Sequence, residues 1–176
     1  ADKKILFDGN AQDYHIGLDD STDSLTIGKG STLGTTTSMS FDANGIITKP
    51  LQPAFEVAGG GGNWAANTVG QFDNETFDIG SNFNTGTYRF TAPIAGVYYF
   101  SWGTLSEAAD TSQYSRIRKN GSSVGPALER GSTINRSHWS QTHIMVLAVN
   151  DYVDIYGHTG NNRLDSGDSF AGFLIG

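Results

Sequence analysis

Alternation with a period of two is the feature that most constrains what this chain can fold into. Apolar and polar residues take turns through most of its length, and no amphipathic helix can be drawn; Glu107 to Asp110 is too short to be one. Val97-Tyr98-Tyr99-Phe100-Ser101-Trp102 reads as a strand with Tyr98, Phe100 and Trp102 on one face, because successive side chains of a strand point to opposite sides. His143 to Val149 reads the same way. In Asp151 to Tyr156, the side chains of Tyr152, Asp154 and Tyr156 lie opposite Val153 and Ile155. Ser169 to Ile175 closes the chain, and there Phe170 and Phe173 have opposite parity: one belongs in a core, the other on an outer face that only assembly would bury. Asn120-Gly121 predicts a two-residue hairpin, since both central positions of a type I′ turn need positive φ. The expected fold class is all-β. Hydrophobic residues are 37% and charged residues 16%, with Gly, Ser, Thr and Asn filling the gap, as many short strands joined by tight turns require. The 23 glycines follow no triplet period, which excludes collagen.

Pro50 and Pro53 bracket Leu51-Gln52 and mark a break, because proline removes a ladder donor and fixes φ. The division expected is residues 1–50 and residues 53–176. The first unit reads as very short strands cut by Asp, Gly and Ser turns: Tyr14 to Leu18, Ser24 to Gly28 and Met39 to Phe41. Its apolar residues are too few to bury a core within one chain, so it is expected to be stable only as an oligomer that shares a core along a common axis.

The second unit carries a resemblance. The stretch from Phe83 to Ser101, with its run NTGTYRFTAPIAGVYYFS, resembles the central signature of C1q-like domains: an aromatic residue, then Thr-Ala-Pro, then Gly-Val-Tyr-x-Phe-Ser. Pro53-Ala54-Phe55 resembles the family's opening strand, Lys119-Asn120-Gly121 its mid-domain hairpin, Asn150 to Val153 its Gly-Asp-x-Val, and Ser169 to Ile175 its last strand. The resemblance implies a ten-strand-like jelly-roll sandwich of the C1q and tumour-necrosis-factor type, assembled as a homotrimer with strands near both termini at the axis. Residues 14 to 49 resemble repeats that precede the receptor-binding tips of bacteriophage tail fibres. Together the two resemblances imply the distal end of a virion fibre, outside the cell: a shaft segment followed by a trimeric head that attaches to a host-surface glycan or protein; the competing readings are a purely structural trimerisation, capping or virion-decoration domain, and a secreted C1q-like ligand.

The remaining chemistry is mostly exclusion. A net charge of −7 and a single basic cluster, Arg116, Arg118 and Lys119, argue against nucleic acid and against anionic membranes as partners. No apolar run is long enough to span a bilayer, and no membrane insertion is expected. No signal peptide is visible at Ala1, and the abrupt start suggests a piece of a longer chain. With no cysteine, thiol catalysis and disulfide staples are excluded. No nucleophile motif is present, so no enzyme activity, catalytic residue or cofactor is expected. Gly59 to Gly62 lacks the Lys and Ser or Thr of a phosphate loop and reads as a surface loop. Asp19, Ser21 and Asp23 lack the Gly and Glu of a calcium loop, and Asp165 and Asp168 with Asn161 and Asn162 form a second acidic loop; solvated turns account for both. Some C1q-like heads hold calcium near the axis, but the corresponding loop here, Glu129 to Arg136, has two arginines and no aspartate, so no metal site is carried over. His138 and His143 fall on opposite faces of a regular strand and cannot share an ion, while His15 and His158 are isolated. For a binding head, aromatics in or near loops matter most, because sugar rings stack on them. Trp64, Tyr114, Trp139 and His158 are the candidates for ligand contact, with core burial the competing role for the two tryptophans; Trp102 continues the core face and is assigned to structure.

Overall fold

A computed structural model describes residues 2–106, 113–130, 137–159 and 162–176. The chain divides into two compact units, Ala1–Gln52 and Pro53–Gly176. Among the described residues every element is a strand: β1 Lys3–Phe7, β2 Tyr14–Asp19, β3 Ser24–Lys29, β4 Thr37–Phe41, β5 Ile47–Thr48, β6 Ala54–Gly59, β7 Gly62–Trp64, β8 Thr68–Val69, β9 Phe72–Ile79, β10 Phe83–Asn84, β11 Arg89–Thr91, β12 Gly96–Ser106, β13 Gln113–Lys119, β14 Ser122–Arg130, β15 Ser137–Leu147, β16 Tyr152–Gly157, β17 Asn162–Leu164 and β18 Ser169–Leu174. The stretch Glu107 to Asp110 and positions 131–136 of the loop compared above with a calcium site lie outside the described residues, as does Asn161.

The second unit is a sandwich of two antiparallel sheets. One runs β10-β11-β16-β13-β14, with β8 also paired to β16. In the other, β12 pairs along one side with β15 and along the other with β18 and β17; β18 continues to β6 and β9, and β17 to β7. Alternation decides which side chains enter. Tyr98, Phe100 and Trp102 of β12 are fully buried, as their shared parity predicts, and so are Val153 and Ile155 of β16. Phe170 is buried whereas Phe173 stays 46% exposed. Asn120 and Gly121 close the β13–β14 hairpin at φ 51° and 81°. More short strand segments are present than the ten-strand outline anticipates, because turns and bulges divide the longer runs.

The core is aromatic. Phe55 of β6 stacks on Phe83 and Phe90 of the facing sheet, with ring centroids 5.1 and 4.8 Å apart, and meets Phe170 edge-on at 5.0 Å. Offset-stacked and edge-to-face pairs add to what area burial alone contributes. Gly172 makes this possible: a Cβ there would stand 2.5 Å from Phe100 and 2.9 Å from Phe55, closer than van der Waals contact allows.

The first unit is a five-stranded antiparallel meander, β1-β2-β3-β4-β5. Its strands are local in sequence and pair within one chain. One face carries His15, Asp19, Ser24 and Thr26, all buried. The segment from Gly30 to Thr36 lies against it: His15 Nδ1 is 2.8 Å from the Gly30 carbonyl oxygen, and a Cβ on Gly34 would meet the Asp19 carboxylate. The other face carries the apolar side chains, and most of them are exposed.

Because Phe55 joins both sheets, Phe55→Ala is expected to cost about 3–5 kcal/mol, the range for deleting a buried Phe. Equilibrium urea unfolding of the variant against the parent chain measures it, and a loss below about 1 kcal/mol would show that the stack is not central.

Candidate functional site

The outer face of the six-stranded sheet is built from residues that alternate with its core. Tyr114, Arg116 and Arg118 project outward from β13, while Tyr152, Asp154 and Tyr156 do so from β16, with His158 just beyond its end. Pairing sets Arg118 opposite Asp154 and Arg116 opposite Tyr156, and the His158 amide donates to the Tyr114 carbonyl at 2.7 Å.

Asp154 organises this face. Although it points away from the core its side chain is fully covered, because two guanidinium groups close over it. Arg118 donates Nε and Nη2 to the two carboxylate oxygens at 2.6 and 2.9 Å, the bidentate fork that favours arginine over lysine, and Arg89 of β11 donates Nε at 3.1 Å. Each arginine then lies over a tyrosine ring: Arg118 over Tyr156 at 3.9 Å and Arg89 over Tyr152 at 4.2 Å. The ladder continues to His158, whose ring centre is 5.0 Å from that of Tyr156 and 4.8 Å from that of Tyr114. Partial burial and the positive charges of Arg116 and Arg118 hold the His158 imidazole below its ordinary pKa. At the hairpin end, Asp151 accepts from Lys119 at 2.8 Å and from Asn120 and the Ala148 amide at 2.7 Å each, and these donors lower its pKa to about 2. The face therefore presents fixed aromatic edges among fixed charges, with the Ser123 hydroxyl 3.4 Å from His158 Nε2.

Two of the four aromatics singled out in the sequence, Tyr114 and His158, meet here. The other two do not join them. Trp64 corrects the expectation of a loop aromatic open to ligand: it lies in the core at 3% exposure, packs edge-on against Phe72, and donates Nε1 to the Thr68 carbonyl at 3.1 Å. Its ring is apolar enough that filling the sandwich outweighs display. Trp139 is half-exposed but stands on β15 opposite Thr104, in the other sheet, not in a loop. Arg89, Arg118 and Asp154 were not chosen as site residues from the sequence. Alternation places Asp154 on the outer face, but nothing in the one-dimensional pattern pairs it with Arg89.

The acidic loops have local partners. Asp19 accepts from the Ser21 amide and hydroxyl at 3.1 and 2.6 Å, which makes it a turn of the Asx type, and Asp168 accepts from the Asp165 amide at 2.7 Å and faces His138 Nε2 at 3.0 Å. Among the described residues no group of three His, Cys, Asp or Glu side chains is placed to hold a metal ion.

The outer face of the other sheet is different in kind. Across five strands one row runs Ile144, Tyr99, Phe173, Ala54 and Ile79. Tyr99 and Phe173 lie with ring centres 5.2 Å apart, and Val97, Val146 and Ile175 continue the apolar surface.

The second unit is a jelly-roll sandwich of the C1q/TNF-like class. The C1q domain model matches residues 54–175, and the chain belongs to that family. The family is non-enzymatic, and its members are typically secreted and typically trimeric. Complement C1q tumor necrosis factor-related protein 3 of Mus musculus is 31% identical over 110 residues, which is 59% of this chain and 43% of that protein, so the chain spans less than half the length of that relative. Among solved structures, the globular domain of zebrafish complement 1qA is similar at a TM-score of 0.60 and 21% identity, covering 71% of this chain and 98% of the other. Murine APRIL is similar at 0.58 and 11%, covering 70% and 98%. The Eiger TNF of S. frugiperda is similar at 0.56 and 10%, covering 70% and 92%. These likenesses establish the fold. They give no support to the tail-fibre shaft or the virion location that the sequence suggested: the family match begins at residue 54, and the relatives are complement and TNF-like proteins. Short Gly, Ser, Thr and Asp alternation is what any small antiparallel meander with tight turns contains, which is why residues 1–50 resembled fibre repeats.

Asp154→Asn leaves two arginines facing a neutral amide, and breaking a covered charge pair in this way is expected to cost about 3–5 kcal/mol by urea unfolding at pH 7; an unchanged midpoint would remove Asp154 from its central place. His158 makes a second check. Its folded pKa lies below the value of about 6.5 expected in the unfolded chain, so the unfolded state takes up the proton first. Its contribution to stability is complete above about pH 6.5 and declines as pH falls toward the folded pKa. The fall in urea midpoint between pH 7.5 and pH 5.5 is therefore expected to be smaller in His158→Gln than in the parent, and an equal fall would contradict the assignment.

Proposed function

We propose that this protein is a secreted, homotrimeric C1q-like binding protein that assembles through the apolar outer face of its head and contacts a glycan or protein ligand with the Tyr114–Tyr156–His158 face. The observation that carries this reading is the contrast between the two outer faces. An apolar row five strands wide is a poor surface for a soluble monomer and a good one for symmetric association. The opposite face holds arginine, tyrosine and histidine in a network of charge pairs and stacked rings, and Tyr and Arg are the residues that most often anchor binding sites. Three copies then give avidity to single sites that bind weakly.

Light scattering on dilute protein is expected to return about three times the 18.8 kDa chain mass, and Phe173→Asp to lower it by placing a charge in the apolar row. A parent chain that scatters as a monomer would refute the assembly. For the ligand, labelled protein applied to cells and to immobilised glycans is expected to bind, with Tyr114→Ala and Arg116→Glu each losing about tenfold or more in affinity while remaining trimeric. Variants that bind as well as the parent would move the ligand site off this face.

A further inference from the structure

In the N-terminal sheet the usual relation between polarity and burial is reversed. Register sets Ile5, Ile16, Ile27 and Met39 in one row across four strands. Lys3, Leu18, Leu25, Phe41 and Ile47 form the next row, and Phe7, Tyr14 and Lys29 the third. All of these share one face, because one-for-one antiparallel pairing keeps side-chain parity across a sheet. Ile5 is 63% exposed and Leu18 54%, and Phe7, Tyr14 and Ile47 are likewise more than half exposed, while Ile16 and Leu25 are exposed by more than a third. The polar face, with His15, Asp19, Ser24 and Thr26, is the one that the Gly30–Thr36 segment covers. Within one chain, then, the side chains that burial would stabilise most are left in water.

We infer that this apolar face is an interaction surface for other copies of the same chain, and that the three N-terminal sheets of one assembly pack it around a common axis. Three features of the molecule favour a copy of itself over a foreign partner. The patch is large: counting roughly 150–250 Å² for each large side chain, the exposed portions come to on the order of 500 Å², near the top of what a monomer ordinarily leaves bare. Two such faces brought together bury about 1,000 Å², where specific interfaces begin. The face is also self-complementary in chemistry, since two of its three rows are apolar from β1 or β2 through β4 and its lysines, Lys3 and Lys29, sit in the outer positions of their rows. Finally, only residues 49–53 separate β5 from β6, a tether of about 17 Å at full extension. This step rests on the trimeric head proposed above: three heads in one particle hold three tethered sheets at an effective concentration that short linkers bring to about the millimolar range.

The chain has no cysteine, so single cysteines report proximity without background. Ile16→Cys and Leu18→Cys place a thiol within the apolar face, and Thr32→Cys places one on the segment that covers the opposite face. Full-length variants are oxidised at dilute concentration, resolved on non-reducing gels, and weighed by light scattering before oxidation. The expected result is disulfide-linked dimers for Ile16→Cys and Leu18→Cys and very little for Thr32→Cys. Trimers in which neither Ile16→Cys nor Leu18→Cys cross-links would overturn the shared sheet core and leave the trimeric head standing. Equal cross-linking at Thr32→Cys would overturn the choice of face. A monomeric mass for the parent chain would overturn both the head assembly and this inference.

Discussion

The structure depends on one packing constraint, the contact of Phe55 with the facing sheet. Its ring lies flat against Phe83 and Phe90 and edge-on to Phe170, so strands far apart in sequence share one aromatic cluster. Gly172 leaves the room that Phe55 and Phe100 occupy. Once these rings are inside, strand geometry leaves no freedom elsewhere: each neighbour along β6, β11, β12 and β18 must point outward. The character of both outer faces follows from what fills the middle.

The two outer faces differ in chemistry. On one side, the outward partners of Phe100 and Phe170 are Tyr99 and Phe173, and they line up with Ile144, Ala54 and Ile79 into an apolar row. On the other, the outward partners of Val153 and Ile155 are polar, and Asp154 draws Arg89 and Arg118 over itself until it is buried from outside. A carboxylate held by two guanidinium groups immobilises them, and they in turn fix the tyrosine rings beneath. Such an ordered surface can meet a ligand without first ordering long side chains, which lowers the entropic cost of association.

The N-terminal sheet follows the same rule of alternation with a different outcome. A single sheet has two faces, and here the short segment from Gly30 to Thr36 covers one of them. It covers the polar face, where His15 and Asp19 can use its backbone and its glycines admit close approach. The apolar face is therefore left exposed.

Much of this was legible in the residues alone. Period-two alternation placed Tyr98, Phe100 and Trp102 inside and separated Phe170 from Phe173, because parity along a strand is a local property. Asn120-Gly121 marked its hairpin because positive φ is demanded of those two residues themselves. The family signature from Phe83 to Ser101 likewise reads from consecutive residues. Other features depend on which strands become neighbours. Whether Trp64 faces a ligand or Phe72, whether Tyr114 meets His158, and that Arg89 and Arg118 share Asp154 across 65 and 36 positions of sequence were decided only by the fold. The sequence by itself determined which side of each strand is apolar; the tertiary structure alone decided what stands opposite that side, because contacts between distant strands are set by sheet order and packing rather than by any local pattern.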